Sequence, residues 1–169
     1  MPTRSSVSAT FVDPGGMRVD AESASGFPVR FDTLSSAEGG AGASPTETIL
    51  AALAACTAMD VASILRKKRQ PFRDYRIQVT ADKADEHPQV FTAITVEHQL
   101  TGPMTAEAVR RSVELSATAY CPVSAMLSAS VRIEHRYRIR RDGEATEEAA
   151  VVVVTGPDAL RAAGRAATG

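Results

Sequence analysis

The 169-residue chain contains no tryptophan, and only 5% of its residues are aromatic. A core built from this sequence must therefore consist mainly of small aliphatic side chains. The chain also has no surplus of either charge, since its formal net charge is −1 and its sequence pI is about 6.3. Domains that bind nucleic acid usually carry a basic stripe and a high pI. We therefore expect no nucleic-acid partner.

Long apolar runs are also missing. No uninterrupted run approaches the roughly 18 residues that a membrane-spanning helix needs, and the first residues, MPTRSSVSATFVDPGG, lack the apolar core of a signal peptide. We expect no membrane segment and a cytoplasmic location. The chain has only two cysteines. In a reducing compartment, such cysteines are more often free or catalytic than joined in a structural disulfide.

The periodicity of the apolar residues predicts strands and helices in an order that defines a fold class. Strands are predicted over residues 7–12, 16–21, 28–33, 75–81, 90–100 and 131–140. Helices are predicted from Ser44 towards Pro71, from Thr105 to Tyr120, and from Pro122 to Ala129. The order β-β-β-α-β-β-α-α-β predicts an α+β fold with a mostly antiparallel sheet.

The composition changes near residue 141. We predict one domain over residues 1–140 and a C-terminal extension over residues 141–169. This extension is interpreted as loosely attached, and it would be either one extra strand around 151–154 or disordered chain. A Gly-, Ser- and Ala-rich stretch, 35–43, is predicted to be a loop.

The first predicted helix has a clear start and an unusual composition. Ser44, Pro45 and Glu47 form a capping-box pattern, with a proline at the first helical position. The helix is nearly apolar along most of its length and rich in alanine. A helix this long and apolar should be covered on several sides. We therefore expect a dimer with this helix at its centre.

The two cysteines lie in different predicted helices. Cys121 precedes Pro122 at a helix N-terminus, where the helix dipole would lower a thiol pKa. Cys56 lies in the middle of the long helix and would need a cation, for which Arg30 in the strand FPVRF is a candidate. The other interpretation is that both cysteines are small buried residues. The residues alone leave both interpretations open.

Asp60 is the acidic residue closest to either cysteine along the chain. It follows Cys56 by four positions, so it lies on the same helix face. It could raise the thiol pKa by repulsion, bind Arg30 or a group of a partner chain, or be a buried aspartate satisfied at a dimer seam. His98 and His135 fall on the apolar faces of their strands. Because no C-x2-C or H-x3-H spacing occurs, we predict no metal site.

Two motifs together resemble those of a known family. The pattern SPTE-x8-CTAMD, followed by YCPVSAML, is similar to the OsmC/Ohr family of thiol-dependent hydroperoxide reductases. The stretches ESASG, CTAMDVASILRKKRQ and LSATAYC look especially like the YhfA-like branch of that family. The resemblance covers roughly residues 5 to 140.

The resemblance implies an intertwined α+β homodimer, with antiparallel sheets around two central cysteine-bearing helices. It implies that Cys56 attacks an organic hydroperoxide, that Cys121 resolves the product through an intramolecular disulfide, and that Arg30 activates Cys56. The activity would serve defence against oxidative stress. No bound cofactor is implied, and the oxidised form would need an external dithiol reductant such as a lipoyl protein.

The sequence departs from the family at the helix start. Peroxidase members have a glutamate directly after the helix proline, whereas this chain has Thr46 there and Glu47 one residue later. Glu47 falls on the helix face opposite the thiol, which favours a capping role over a catalytic one. Met59 could line the site. Thr46 and Asp60 favour an alternative function, which is an OsmC-like protein that binds an apolar or thiol-reactive small molecule with little peroxidase turnover.

Overall fold

The computed structural model describes residues 4–13, 15–33, 40–141, 147–157 and 159. The chain divides into two compact units, residues 1–49 and 50–169. Each unit contains a sheet of its own, with three strands in the first and four in the second. The first helix begins in the N-terminal unit and continues through the boundary into the second unit.

The N-terminal sheet is an antiparallel meander. Its strands are β1 (Val7–Phe11), β2 (Val19–Ser23) and β3 (Pro28–Phe31), in that order. The second strand begins three residues later than predicted, because Gly16 donates its N–H to the carbonyl of Asp13 and Val12 donates to Arg18. Because these bonds close the hairpin, the residues just before Val19 belong to the turn and not to the strand. Most of the predicted loop over 35–43 lies outside the described residues.

The C-terminal sheet combines antiparallel and parallel pairing. Its strands are β4 (Asp74–Lys83), β5 (Phe91–Thr101), β6 (Arg132–Arg140) and β7 (Glu147–Thr155), in that order. β4 with β5 and β6 with β7 are antiparallel pairs, whereas β5 and β6 run parallel. The parallel pair needs a crossover, which the helices between β5 and β6 provide. The α+β class with predominantly antiparallel pairing is confirmed.

Strand β7 lies in the segment interpreted from sequence as a loosely attached extension. It pairs with β6 from Glu147 to Thr155, and Val152 packs against the core that includes Tyr137 and Ile139. Residues 147–155 are therefore part of the sheet. Of the remaining chain, residues 160–169 lie outside the described residues.

Helix α1 (Pro45–Lys67) begins with the predicted capping box. The N–H of Ser44 donates to the Glu47 carboxylate at 2.8 Å, and the N–H of Glu47 donates to the Ser44 hydroxyl at 3.3 Å. At the other end Arg69 adopts a positive φ of 56°, and the N–H of Gln70 donates to the carbonyl of Leu65 at 2.9 Å. The helix therefore ends before Pro71, through a left-handed residue.

The capping box predicts a measurable loss of stability. Ser44→Ala removes the hydroxyl that accepts from Glu47, so we expect the free energy of unfolding to fall by about 1 kcal/mol. Urea denaturation measures this change. Ser63→Ala removes an exposed hydroxyl from the interior of the same helix and serves as the control, with an expected change below about 0.5 kcal/mol. Equal losses in both variants would contradict the capping role.

One face of α1 packs on the C-terminal sheet. Leu53 lies in a cluster with Ile94 and Val96 of β5, and Val61 and Leu65 lie in a second cluster with residues further along the sheet. By length and composition α1 could also cross a membrane, with a mean hydropathy of 1.9 over its most apolar 18 residues. The prediction of no membrane segment rested on uninterrupted apolar runs alone. Core helices of soluble proteins can have the same length and composition, so these two properties are weak evidence for a membrane span.

The crossover between β5 and β6 consists of α2 (Ala106–Leu115), a π-helical turn (Ser116–Tyr120) and α3 (Pro122–Ser128). The sequence predicted a helix as far as about Tyr120, and the structure shows that the last turn of this helix is π-helical. The N–H of Cys121 donates to the carbonyl of Ser116 at 2.9 Å, five residues earlier. Turns of this kind are frequent at functional sites. Here the π-helical turn leads directly into Cys121.

Candidate functional site

The structure brings Cys56, Asp60 and Cys121 together. The two sulfur atoms and a carboxylate oxygen of Asp60 all lie within 4.8 Å of one another. Cys56 and Asp60 come from successive turns of α1, as their spacing predicted, and Cys121 comes from the end of the π-helical turn. Both cysteines are free thiols.

Cys121 is the buried member of the cluster. It is 2% exposed and belongs to an apolar cluster with Leu53, Ile94 and Ile133. Burial, together with the hydrogen bond to Cys56, raises the pKa of the Cys121 thiol to about 12, against the opposing effect of the Ser124 N–H that donates to its sulfur at 3.3 Å. The prediction that the helix N-terminus makes this thiol acidic is therefore wrong, because α3 is short and burial dominates.

The two sulfur atoms are close enough to be joined with a small movement. Cys56 is half-buried and packs against the same apolar cluster as Cys121. A disulfide needs sulfurs about 2.05 Å apart and a side-chain torsion near ±90°. Sulfurs within 4.8 Å can reach that distance by side-chain rotation and a slight shift of backbone. The geometry is therefore compatible with an intramolecular disulfide between Cys56 and Cys121.

The carboxylate of Asp60 is held by a residue that the sequence did not single out. The hydroxyl of Ser116 donates to one Asp60 oxygen at 3.1 Å. Ser116 is the first residue of the π-helical turn and is 1% exposed. Its spacing of three residues from the buried Val113 places a hydroxyl on an otherwise apolar stripe. This polar residue on a buried stripe is the feature of the sequence that could have identified Ser116 as part of the site.

A cavity of about 370 Å³ reaches Asp60. Its walls include the apolar side chains of Ile64 and Leu115 and the ring of Tyr120, and Lys67 and Lys68 also line it. Met59, predicted to line the site, is 74% exposed and lines a different cavity of about 430 Å³ with Phe72 and Tyr75. The cavity beside Asp60 therefore offers an apolar surface next to cationic groups.

Arg30, Thr46 and Glu47 belong to the N-terminal unit. The guanidinium of Arg30 donates to both oxygens of Asp20 at 2.8 and 3.0 Å, and this pairing lowers the pKa of Asp20. Glu47 serves the capping box, and the Thr46 hydroxyl lies 3.4 Å from that of Ser44. The roles assigned to these residues at Cys56 stay predictions.

Two buried histidines, His98 and His135, are stacked with ring centroids 6.2 Å apart. His98 shares a hydrogen bond of 2.7 Å with the Tyr75 hydroxyl, and His135 shares one of 3.3 Å with the hydroxyl of Ser124. Burial lowers the pKa of His98 to about 3 and that of His135 to about 4. Both rings are therefore neutral at physiological pH. Their predicted place on the buried faces of the strands is confirmed.

Comparison with known proteins identifies the fold and the family. Residues 37–136 match the family model described as OsmC-like protein. Protein YhfA of Escherichia coli K12 is 39% identical over 125 residues, which are 73% of this chain and 91% of YhfA.

Two solved structures have the same fold. The OsmC-like protein of Mycoplasma pneumoniae has a TM-score of 0.70 at 15% identity, covering 82% of this chain and 99% of that one. The organic hydroperoxide resistance protein OhrB of Bacillus subtilis has a TM-score of 0.58 at 19% identity, covering 80% of this chain and 98% of OhrB. Since the family model matches more than half of the residues and YhfA is related along most of its length, this chain belongs to the OsmC-like family.

Proposed function

We propose that this protein reduces organic hydroperoxides with its two cysteines as part of a defence against oxidative stress. The observation that carries the proposal is the separation of the Cys56 and Cys121 sulfurs, which is within 4.8 Å. A pair of free thiols this close can be oxidised by two electrons without rearrangement of the fold. Family members named for organic hydroperoxide resistance, such as OhrB, support the choice of oxidant.

The proposed reaction has two steps. The Cys56 thiolate attacks the distal peroxide oxygen, so that an S–O bond forms, the O–O bond breaks and the alkoxide leaves as an alcohol after taking up a proton. The Cys121 sulfur then attacks the sulfenic acid of Cys56. The S–S bond forms, the S–O bond breaks, and the hydroxyl leaves as water with the proton of Cys121.

The surroundings of the two thiols suit these unequal roles. The raised pKa of Cys121 keeps its proton in place until the second step. We propose that Asp60, within 4.8 Å of both sulfurs, carries that proton to the leaving hydroxyl. The apolar walls of the adjacent cavity suit the organic part of a hydroperoxide. Arg30 is proposed to hold Cys56 as the thiolate.

The remaining components of the reaction follow from the same proposal. An external dithiol, such as a lipoyl protein, would reduce the disulfide, and no bound cofactor would be needed. Members of the OsmC/Ohr family are typically dimers. The face of α1 that carries Ala51, Ala55 and Met59 is exposed in one chain. We propose that a second copy covers it in a cytoplasmic homodimer.

The direct test mixes fully reduced protein with tert-butyl hydroperoxide and, separately, with hydrogen peroxide. We expect loss of two thiols per chain and a mass decrease of about 2 Da, faster with the organic peroxide. Cys56→Ser should slow peroxide consumption at least about a thousandfold, as removal of a nucleophile does. Ala149→Ser, which adds the same hydroxyl at an exposed position of β7, should react like the unmodified protein.

A second candidate function is binding of a small molecule with little turnover. The cavity of about 370 Å³ beside Asp60 favours it, because such a space can hold an apolar ligand without any redox step. Thiols that survive prolonged exposure to excess peroxide would exclude the peroxidase and leave this alternative.

A further inference from the structure

We propose that the reduced cluster of Cys56, Asp60 and Cys121 binds one thiophilic divalent cation, such as Zn²⁺, and releases it when the two cysteines form a disulfide. The cluster offers two sulfur ligands and one carboxylate oxygen, all within 4.8 Å of one another. Ligand spacing within one segment does not reveal this group, because Cys121 lies in a different element from Cys56 and Asp60.

The spacing of the three ligand atoms suits tetrahedral coordination. Zinc binds sulfur at about 2.3 Å and carboxylate oxygen at about 2.0–2.2 Å, so neighbouring ligand atoms lie about 3.3–3.8 Å apart in such a site. Atoms within 4.8 Å reach these distances by small side-chain rotations. Three protein ligands leave one coordination position for water or another small ligand.

Two hydrogen bonds hold the ligand atoms from outside the cluster. The Ser116 hydroxyl donates to one oxygen of Asp60 at 3.1 Å, which leaves the other oxygen available to a cation. The N–H of Ser124 donates to the Cys121 sulfur at 3.3 Å. Bonds of this kind orient the ligands of metal sites and tune their basicity. Both donors are buried, at 1% and 0% exposure, so their positions are fixed by packing.

The chemistry of the ligands selects the class of cation. Two thiolates favour Zn²⁺ and similar ions, whereas Mg²⁺ and Ca²⁺ prefer sites made entirely of oxygen. The cavity that reaches Asp60 provides an entry path for a small hydrated ion. Binding displaces the thiol protons, so the affinity should rise with pH.

Oxidation would remove two of the three ligands. When a two-electron oxidant such as a peroxide converts the thiolates to a disulfide, the peroxide takes both electrons and the cation returns to solution. While it is bound, the cation shares the sulfur lone pairs and should slow the attack of Cys56 on peroxide. This last consequence rests on the proposed function, whereas the binding itself does not.

Cobalt(II) is a suitable probe, because thiolate ligands give it a charge-transfer absorption and tetrahedral coordination intensifies its visible bands. Reduced protein titrated with Co²⁺ without oxygen should bind one ion per chain with these bands, and Zn²⁺ should displace it. Cys121→Ser should lose about half of the charge-transfer intensity. Asp60→Asn should weaken binding at least about tenfold, whereas Asp82→Asn, at an exposed position of β4, should not change it.

Binding without thiolate charge transfer, or an Asp60→Asn variant that binds like the unmodified protein, would overturn the proposal. Circular dichroism checks that the variants fold. Should Asp60→Asn fail that check, Ser116→Ala tests the same carboxylate through the hydrogen bond that orients it, with an expected loss in affinity of up to about tenfold. The titration contains no peroxide, so it can succeed if the peroxidase proposal fails. Peroxide consumption with Zn²⁺, before and after a chelator is added, then tests the inhibition separately.

Discussion

A Cys121→Ser variant is expected to consume about one equivalent of tert-butyl hydroperoxide per chain and then stop. Cys56 keeps its place on α1 in this variant, so the first step should proceed at close to the normal rate. The second step is lost, because serine cannot form a disulfide with the sulfenic acid. With a dithiol reductant present, we expect the steady-state rate to fall at least about a hundredfold.

Rapid mixing followed by mass measurement separates the two steps. The variant should gain about 16 Da as a sulfenic acid that a carbon-acid reagent such as dimedone can trap, whereas the unmodified protein should lose about 2 Da and react with no trap. Cys56→Ser serves as the paired control and should show neither change. A Cys121→Ser variant that turns over as fast as the unmodified protein would show that Cys121 does not resolve the intermediate.

The features predicted best from sequence are those fixed by local rules. The capping box at Ser44 and Glu47 follows from hydrogen bonds within one turn, and the structure contains both of them. The shared face of Cys56 and Asp60 follows from the helical repeat alone. The alternation in 131–140 placed His135 on the buried face of its strand, where it is 0% exposed.

The features that sequence reasoning missed depend on packing between distant segments. The acidity of Cys121 was misjudged, because its burial comes from Leu53 of α1 and from strands of the sheet, whereas the helix dipole is visible in the local sequence. The hydrogen bond from Ser116 to Asp60 joins positions 56 residues apart. The parallel pairing of β5 with β6 likewise follows from the path of the crossover helices, since both strands have the same alternating pattern.

The buried histidine pair predicts a loss of stability in mild acid. The pKa of His98 is lowered from 6.5 to about 3 and that of His135 from 6.5 to about 4. Above pH 6.5 both rings are neutral in the folded and unfolded states, so the free energy of unfolding does not depend on their ionisation. Below pH 6.5 the histidines of the unfolded chain take up protons, whereas those of the folded protein stay neutral. The free energy of unfolding therefore falls with decreasing pH until the pH reaches the pKa values of the folded state.

The size of this loss is large compared with ordinary folding stability. At about pH 5 each ring costs about 2 kcal/mol relative to neutral pH, or about 4 kcal/mol for the pair, against a typical total of about 5–15 kcal/mol. This pH range lies above most carboxylate titration, so the histidines dominate it.

Urea denaturation at a series of pH values measures the loss. His135→Gln should show about half of this loss in the free energy of unfolding. His87→Gln, at an exposed turn, is the control and should show the full loss. Equal pH dependence in His135→Gln and the unmodified protein would contradict the assignment, because removal of one titrating ring must reduce the difference in bound protons between the two states.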